Sequence, residues 1–180
     1  MVNKYVITGP ASSGKSSLIN IAFEKSYYTI PEVAEYIINR EQKKKKKKKE
    51  YSPILPWLDL YNFQIEVIKQ QNLWENEIPN FINNAILDRG IIDEIGFCRG
   101  VKIQIPKELL MIAEKINYKK VFYLKPLKNY KKSKIKREEK EQSIRINKEI
   151  QKAYVEFGYN LIEVPSLPIE KRLEFILEKF

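Results

Sequence analysis

One short segment near the start of the chain carries a chemistry of its own. Gly9-Pro10-Ala11-Ser12-Ser13-Gly14-Lys15-Ser16 satisfies G-x-x-x-x-G-K-[ST] at every fixed position. Glycines at both ends of the loop let the backbone wrap closely around phosphate oxygens. Successive N–H groups and the N-terminus of the following helix then point at the anion. The Lys15 ammonium is expected to reach the β- and γ-phosphates, and the Ser16 hydroxyl to take one position on Mg²⁺. Gly9, Pro10, Ala11, Ser12, Ser13, Gly14, Lys15, Ser16 and Ser17 are therefore the candidate binding set for ATP or GTP.

A second acidic position follows from Ala85-Ile86-Leu87-Asp88-Arg89-Gly90, an apolar run that ends in a carboxylate. In a parallel sheet the carboxyl ends of the strands face the ligand crevice. Asp88 is placed to hold Mg²⁺ or to accept a proton from an attacking hydroxyl, and Arg89 to clamp a phosphate. The structural alternative is a helix cap at Asp88 with Arg89 on the surface. Glu32 follows a short strand-like run and Pro31. It is a candidate for substrate hydroxyl binding or base catalysis, or else a plain carboxylate in a helix first turn. Asp93 divides in the same way between substrate contact and the first turn of the next helix.

The elements that would position these groups alternate. Strand-like runs are expected at 4–8, 27–30, 85–87, 121–124 and 160–164. Helices are expected at 15–24, 32–40, 57–74, 91–98, 107–116, 138–157 and after Pro168. Val121-Phe122-Tyr123-Leu124 is apolar throughout, as in a strand buried on both faces. The alternation predicts an α/β, three-layer fold: a five-stranded parallel sheet with helices on both faces, in a single domain over 1–180. Residues 41–53 are expected to be a lysine-rich loop, and about 125–140 a lid.

Composition excludes several classes. There is no histidine and one cysteine, Cys98, so histidine-based triads, internal disulfides and multi-cysteine metal sites are ruled out. The formal charge is +10, but Lys43 to Lys49 supplies seven of the positive charges. The rest of the chain is nearly balanced, so nucleic acid is not the expected partner. A run of like charges is expected to be a solvated, mobile loop, with weak contact to anionic lipid as its functional alternative. No apolar stretch reaches the length of a membrane span, and the N-terminus has no leader layout, which points to a cytoplasmic protein. A GTPase is disfavoured: Asp93-Glu94-Ile95-Gly96 lies past the strand end, and Asn147-Lys148-Glu149-Ile150 lacks the aspartate that reads guanine.

Together these residues resemble the NadR-like AAA-type ATPase domain, a kinase-like branch of the P-loop NTPase fold that includes ribosylnicotinamide kinase domains. The resemblance spans nearly the whole chain: Tyr5 to Gly9 with Gly14 to Leu18, Pro31-Glu32-Val33-Ala34, Leu87 to Asp93, Val121 to Leu124 with Tyr130, and Tyr154, Gly158-Tyr159, Val164-Pro165 and Arg172. It departs at Glu35, where the family carries arginine. It departs again at the lid, where Asp-Gly-x-Arg is replaced by Ser133-Lys134-Ile135-Lys136 with Arg137 next. Lys136 and Arg137 are the candidates to replace the lid arginine, although Lys is a point charge where Arg is a bidentate fork. The resemblance implies a Mg²⁺-dependent phosphotransferase that uses ATP on a small nucleoside-like or other hydroxyl or phosphate acceptor. The competing expectation is an ATP- or GTP-binding switch with slow hydrolysis, recruited to anionic lipid by its lysine run.

Overall fold

The computed structural model describes residues 2–126 and 137–180; of residues 137–139 it describes the backbone alone. Five strands, β1 (Asn3–Thr8), β2 (Tyr28–Ile30), β3 (Asn84–Asp88), β4 (Lys120–Leu124) and β5 (Leu161–Val164), form one sheet in the order β2-β3-β1-β4-β5. Every pairing is parallel, with Ile7 beside Asp88 and Thr8 beside Tyr123. All carboxyl ends therefore lie on one edge. Neither β2 nor β4 pairs with its predecessor in sequence, and the order steps outwards on opposite sides of β1 and β3, which opens a crevice at the end of β1.

Among the described residues there are seven helices, six between strands and one after β5: α1 (Lys15–Glu24), α2 (Val33–Lys47), α3 (Leu60–Asn76), α4 (Ile91–Val101), α5 (Lys107–Ala113), α6 (Arg137–Glu156) and α7 (Ile169–Leu177). Strand side chains alternate between two cores. Val6, Leu87 and Val121 join α4, α5 and α6 on one face. Tyr5, Ile7, Ile86 and Phe122 join α1 and α7 on the other. This double burial is why the strands read as unbroken apolar runs.

The tightest helix pairing is α4 against α6. A Cβ on Gly96 would lie 2.3 Å from the Ile150 Cα, and one on Gly100 would lie 2.5 Å from the Ile146 Cα. The glycine spacing along α4 thus lets two backbones touch and sets how α6 lies against α4; most of the expected lid, residues 127–136, lies outside the described residues.

The lysine block departs from expectation. Helix α2 continues through Lys47, so only the end of the expected 41–53 loop is irregular. Three causes act together. Lysine is a good helix former. Cations near a helix C-terminus meet the negative end of its dipole. Glu41, 1% exposed, accepts from Lys44 Nζ at 2.9 Å and Arg40 Nε at 3.1 Å. Lys43 to Lys49 are all solvent-exposed, as the charge repulsion requires. Among the described residues no helix is long and apolar enough to cross a membrane.

Candidate active site

The phosphate loop joins the end of β1 to α1. Gly9 has φ +143°, and a Cβ there would fall 2.4 Å from the Leu124 carbonyl oxygen, so a side chain is doubly excluded. Gly14 caps α1 in the left-handed region at φ 91°, and no side chain caps the helix. Its first amides are left facing the loop interior, the arrangement an anion needs. Lys15 is 5% exposed and curls back so that Nζ donates to the Pro10 carbonyl at 2.9 Å. Burial, and then the Arg89 charge, bring its ammonium down to about 8, against the pull of Asp88 and Glu32. From behind, Arg172 of α7 braces the loop, donating to the Ser13 carbonyl at 3.1 Å.

Asp88 ends β3 directly beside that loop. Ser16 Oγ donates to its Oδ2 at 3.0 Å. Its Oδ1 is buried with no hydrogen-bond partner among the described residues. Burial first, then the nearby Glu32 charge, push its carboxyl up to about 6. The helix cap belongs to Gly90 instead, whose N–H donates to Asp93 Oδ2 at 2.9 Å. The capping alternative for Asp88 is therefore wrong. A serine hydroxyl and a carboxylate with a free, buried oxygen at a phosphate loop suit Mg²⁺, a hard cation that keeps waters and phosphate oxygens as its other ligands. Among the described residues there is no cluster of three or more carboxylate or cysteine side chains able to hold a metal by itself.

Arg89 lies at the centre of an ion-pair group. Its Nε donates to Glu32 Oε1 at 3.2 Å and its Nη1 to Asp93 Oδ1 at 3.2 Å. Burial opposes its charge, but Asp93 and Glu32 outweigh burial and hold it firmly cationic. Asp93 also accepts from Thr8 Oγ1 at 2.5 Å and from Tyr154. With Gly90 N–H that makes four donors, so Asp93 anchors Arg89 and the start of α4. Glu32 sits at the start of α2, makes no capping bond, and faces Arg89.

Two cavities meet at this ion pair. One, about 260 Å³, is lined by Ala11, Ser12 and Gly14 to Ser17 of the loop together with Glu32 and Arg89. The other, about 240 Å³, shares Ala11, Glu32 and Arg89 but runs between Phe63 and Gln64 of α3, Glu94 and Phe97 of α4, and Asn147 of α6. Its wall holds Asn147 Oδ1, buried with no partner among the described residues. It also holds Glu94, which accepts from Gln64. Burial, then the Asp93 charge, push the Glu94 carboxyl up to about 8. A larger cavity, about 770 Å³, is at the opposite edge of the sheet around Asn3 and Lys4. It holds no part of the phosphate loop and no candidate site residue, so volume alone misplaces the chemistry.

The sequence matches the family model of an AAA domain over residues 4–172. The chain belongs to that family. No curated protein matches it. Among solved structures, a deoxyadenosine kinase from M. mycoides with products dCMP and a flexible dCDP bound has a TM-score of 0.63 at 17% identity, over 98% of this chain and 97% of that one. A thymidylate kinase from Ehrlichia chaffeensis has a TM-score of 0.64 at 11% identity, over 99% and 98%. NadR in complex with NAD and AMP-PNP has a TM-score of 0.63 at 14% identity, over 98% of this chain and 49% of that chain. The AAA-domain chain thus spans about half the length of NadR. At these identities the likeness is one of fold: a kinase-like P-loop NTPase fold, of which NadR is one neighbour among several.

Within this AAA-domain chain, Gly9 to Ser17, Glu32, Asp88 and Arg89 lie together at the carboxyl edge of the sheet. Lys136 and the side chain of Arg137 lie outside the described residues. Phe63, Gln64, Glu94 and Phe97 went unnoticed as site residues. A signal existed: Gln64, Gln71 and Glu75 follow each other at seven and four residues, a polar ladder on the buried face of α3.

Proposed function

We propose that the chain is an ATP-dependent phosphotransferase that acts on a hydroxyl or phosphate of a small nucleoside-like molecule. The observation that carries this reading is the meeting of two cavities at Glu32 and Arg89, one walled by the phosphate loop and the other by aromatic and amide side chains. A donor polyphosphate in the first and an acceptor in the second would have their reacting atoms at the shared boundary, the positioning that phosphoryl transfer depends on.

The roles divide by location. The loop amides and Lys15 hold the phosphates. Ser16 and Asp88 would hold Mg²⁺, which would supply charge neutralisation to the phosphates. Glu32 lines the acceptor cavity and Asp88 does not, which favours Glu32 as the base. As the acceptor oxygen bonds to the γ-phosphorus, its proton passes to Glu32 and the bond to the β-bridging oxygen breaks. Arg89, fixed between Glu32 and Asp93, offers its charge to the transferring group. Phe63 and Phe97 suit a flat ring, and Gln64, Glu94 and Asn147 suit its polar edge. A ribosylnicotinamide-type acceptor, as in the NadR-like reading, is one member of this class.

The test is a coupled ADP-release assay with ATP and Mg²⁺ and a panel of nucleosides, nucleoside monophosphates and nicotinamide riboside. The expected result is release that depends on one acceptor class. A single slow rate, whatever the acceptor, refutes the proposal in favour of a hydrolytic switch.

A further inference from the structure

The turn that carries Asp88 and Arg89 is held by residues that touch neither cavity boundary. Arg89 has φ +72°, a left-handed conformation that non-glycine residues avoid unless their surroundings impose it. Three bonds impose it here. The Arg89 N–H donates to the Ile7 carbonyl at 3.0 Å. The Arg89 carbonyl accepts from Gln71 Nε2 at 3.4 Å. One residue beyond Gly90, the Ile91 N–H donates to the Tyr118 hydroxyl at 2.7 Å. A Cβ on Gly90 would fall 2.6 Å from that hydroxyl, so glycine here serves the close approach of Tyr118.

Gln71 and Tyr118 share one anchor. Tyr118 OH donates to Glu75 Oε1 at 2.9 Å, and Gln71 Nε2 donates to the same oxygen at 2.9 Å. The other oxygen, Oε2, accepts from Lys4 Nζ at 3.0 Å. The Glu75 side chain is wholly buried, while Lys4 is 17% exposed and lines the large cavity at the amino edge of the sheet. A buried carboxyl group is costly to keep unless its partners are complete. This one is complete, and two of its three donors also hold the backbone on either side of Gly90.

We propose that Glu75, with Tyr118 and Gln71, is a positioning unit that keeps the Arg89–Ile91 turn in its reactive shape and is fastened by Lys4 at the opposite edge of the sheet. The proposal rests on the phosphotransferase reading for its kinetic arm only. None of the four residues touches substrate. They act by fixing where the Arg89 guanidinium reaches Glu32 and Asp93.

The test compares Tyr118→Phe, Gln71→Met and Lys4→Met with the unaltered chain, all assayed well below their melting temperatures. Tyr118→Phe keeps the ring and its packing on Tyr159, 5.7 Å away between centroids, and removes only the hydroxyl. Its Ile91 amide is expected to exchange with solvent at least about tenfold faster while the Ile95 and Cys98 amides stay protected. Its kcat is expected to fall about tenfold with the KM for ATP unchanged, the split expected when an interaction serves the transition state and not binding. Gln71→Met, which keeps the volume, is expected to lower kcat about threefold, and Lys4→Met to do so by a smaller factor from across the sheet. A lower melting temperature in Tyr118→Phe with unchanged kcat, or an unaltered Ile91 exchange rate, overturns the proposal. If Tyr118→Phe does not fold, Gln71→Met decides by the same kinetic split. If the unaltered chain transfers no phosphoryl group, the functional reading has failed, and the Ile91 exchange rate still tells whether the hold exists.

Discussion

Two buried carboxylates, one on α2 and one at the end of β3, behave in opposite ways. Glu41, on the outer turns of α2, is pushed up by burial but brought down to about 2 by Tyr51, Lys44 and the Ile54 N–H. Asp88, at the carboxyl edge of β3, is pushed up to about 6, with one donor on one oxygen and, among the described residues, none on the other. The fold completes Glu41 and leaves Asp88 incomplete. A carboxylate whose donors are all supplied by the chain is fastening something; one left short of them is waiting for a ligand. Here Glu41 fastens the 51–54 loop to the lysine-rich helix, and Asp88 faces the phosphate loop.

The hardest blow to this contrast comes from the loop. Lys15→Ala is expected to weaken ATP binding by at least about a hundredfold, read by calorimetry in magnesium buffer. Undiminished affinity would separate the loop from phosphate altogether. Asp88→Asn is next: turnover falls about a hundredfold or more while ATP still binds. The same variant should melt at a higher temperature at pH 7.5, by about 1–3 kcal/mol of stability. The sign follows from the raised value. With the folded pKa raised to about 6, stability is lost as the pH climbs from the unfolded carboxylate value to about 6, so the full cost is present at pH 7.5 and asparagine removes it. A variant that is both slower and less stable would make Asp88 a structural group like Glu41.

Glu41→Gln is expected to do the reverse, losing about 1–3 kcal/mol by chemical denaturation with kcat unaltered. Its lowered pKa means that its stabilisation is fully present above the unfolded value and is lost only as the pH falls towards about 2. A pH profile of kcat/KM sharpens the picture further. It should rise as Asp88 ionises near pH 6 and fall as Lys15 loses its proton near pH 8, because kcat/KM reports the free enzyme. The smallest effect is expected from replacing Lys45 to Lys49 with serine, within about 0.5 kcal/mol of stability and with turnover unchanged.

Much of this was legible beforehand, for identifiable reasons. The phosphate loop is local: eight consecutive residues determine it, and its flanking strand and helix are adjacent in sequence. Asp88 was legible because a carboxylate at the end of an apolar strand falls on the ligand edge of any parallel sheet. The lysine run was misjudged because like-charge repulsion was weighed and the partners of Glu41 were not. Tyr51 and the Ile54 N–H come from a loop whose return path no periodicity reveals. The assignment of Asp93 stayed open for the same reason, since its donors Thr8 and Tyr154 are 85 and 61 residues away.

The order of apolar and polar residues along the chain was sufficient to specify an alternating α/β fold and a phosphate-binding bend, because both arise from neighbours a few positions apart. The division of labour among the acidic groups arose otherwise. Which carboxylate would be saturated, which would keep a bare oxygen, and which would line an aromatic cavity depended on β3, α3, α4 and α6 converging from distant stretches of sequence. Hydrogen-bond completion is a property of three-dimensional neighbourhoods, and only the folded arrangement could assign it.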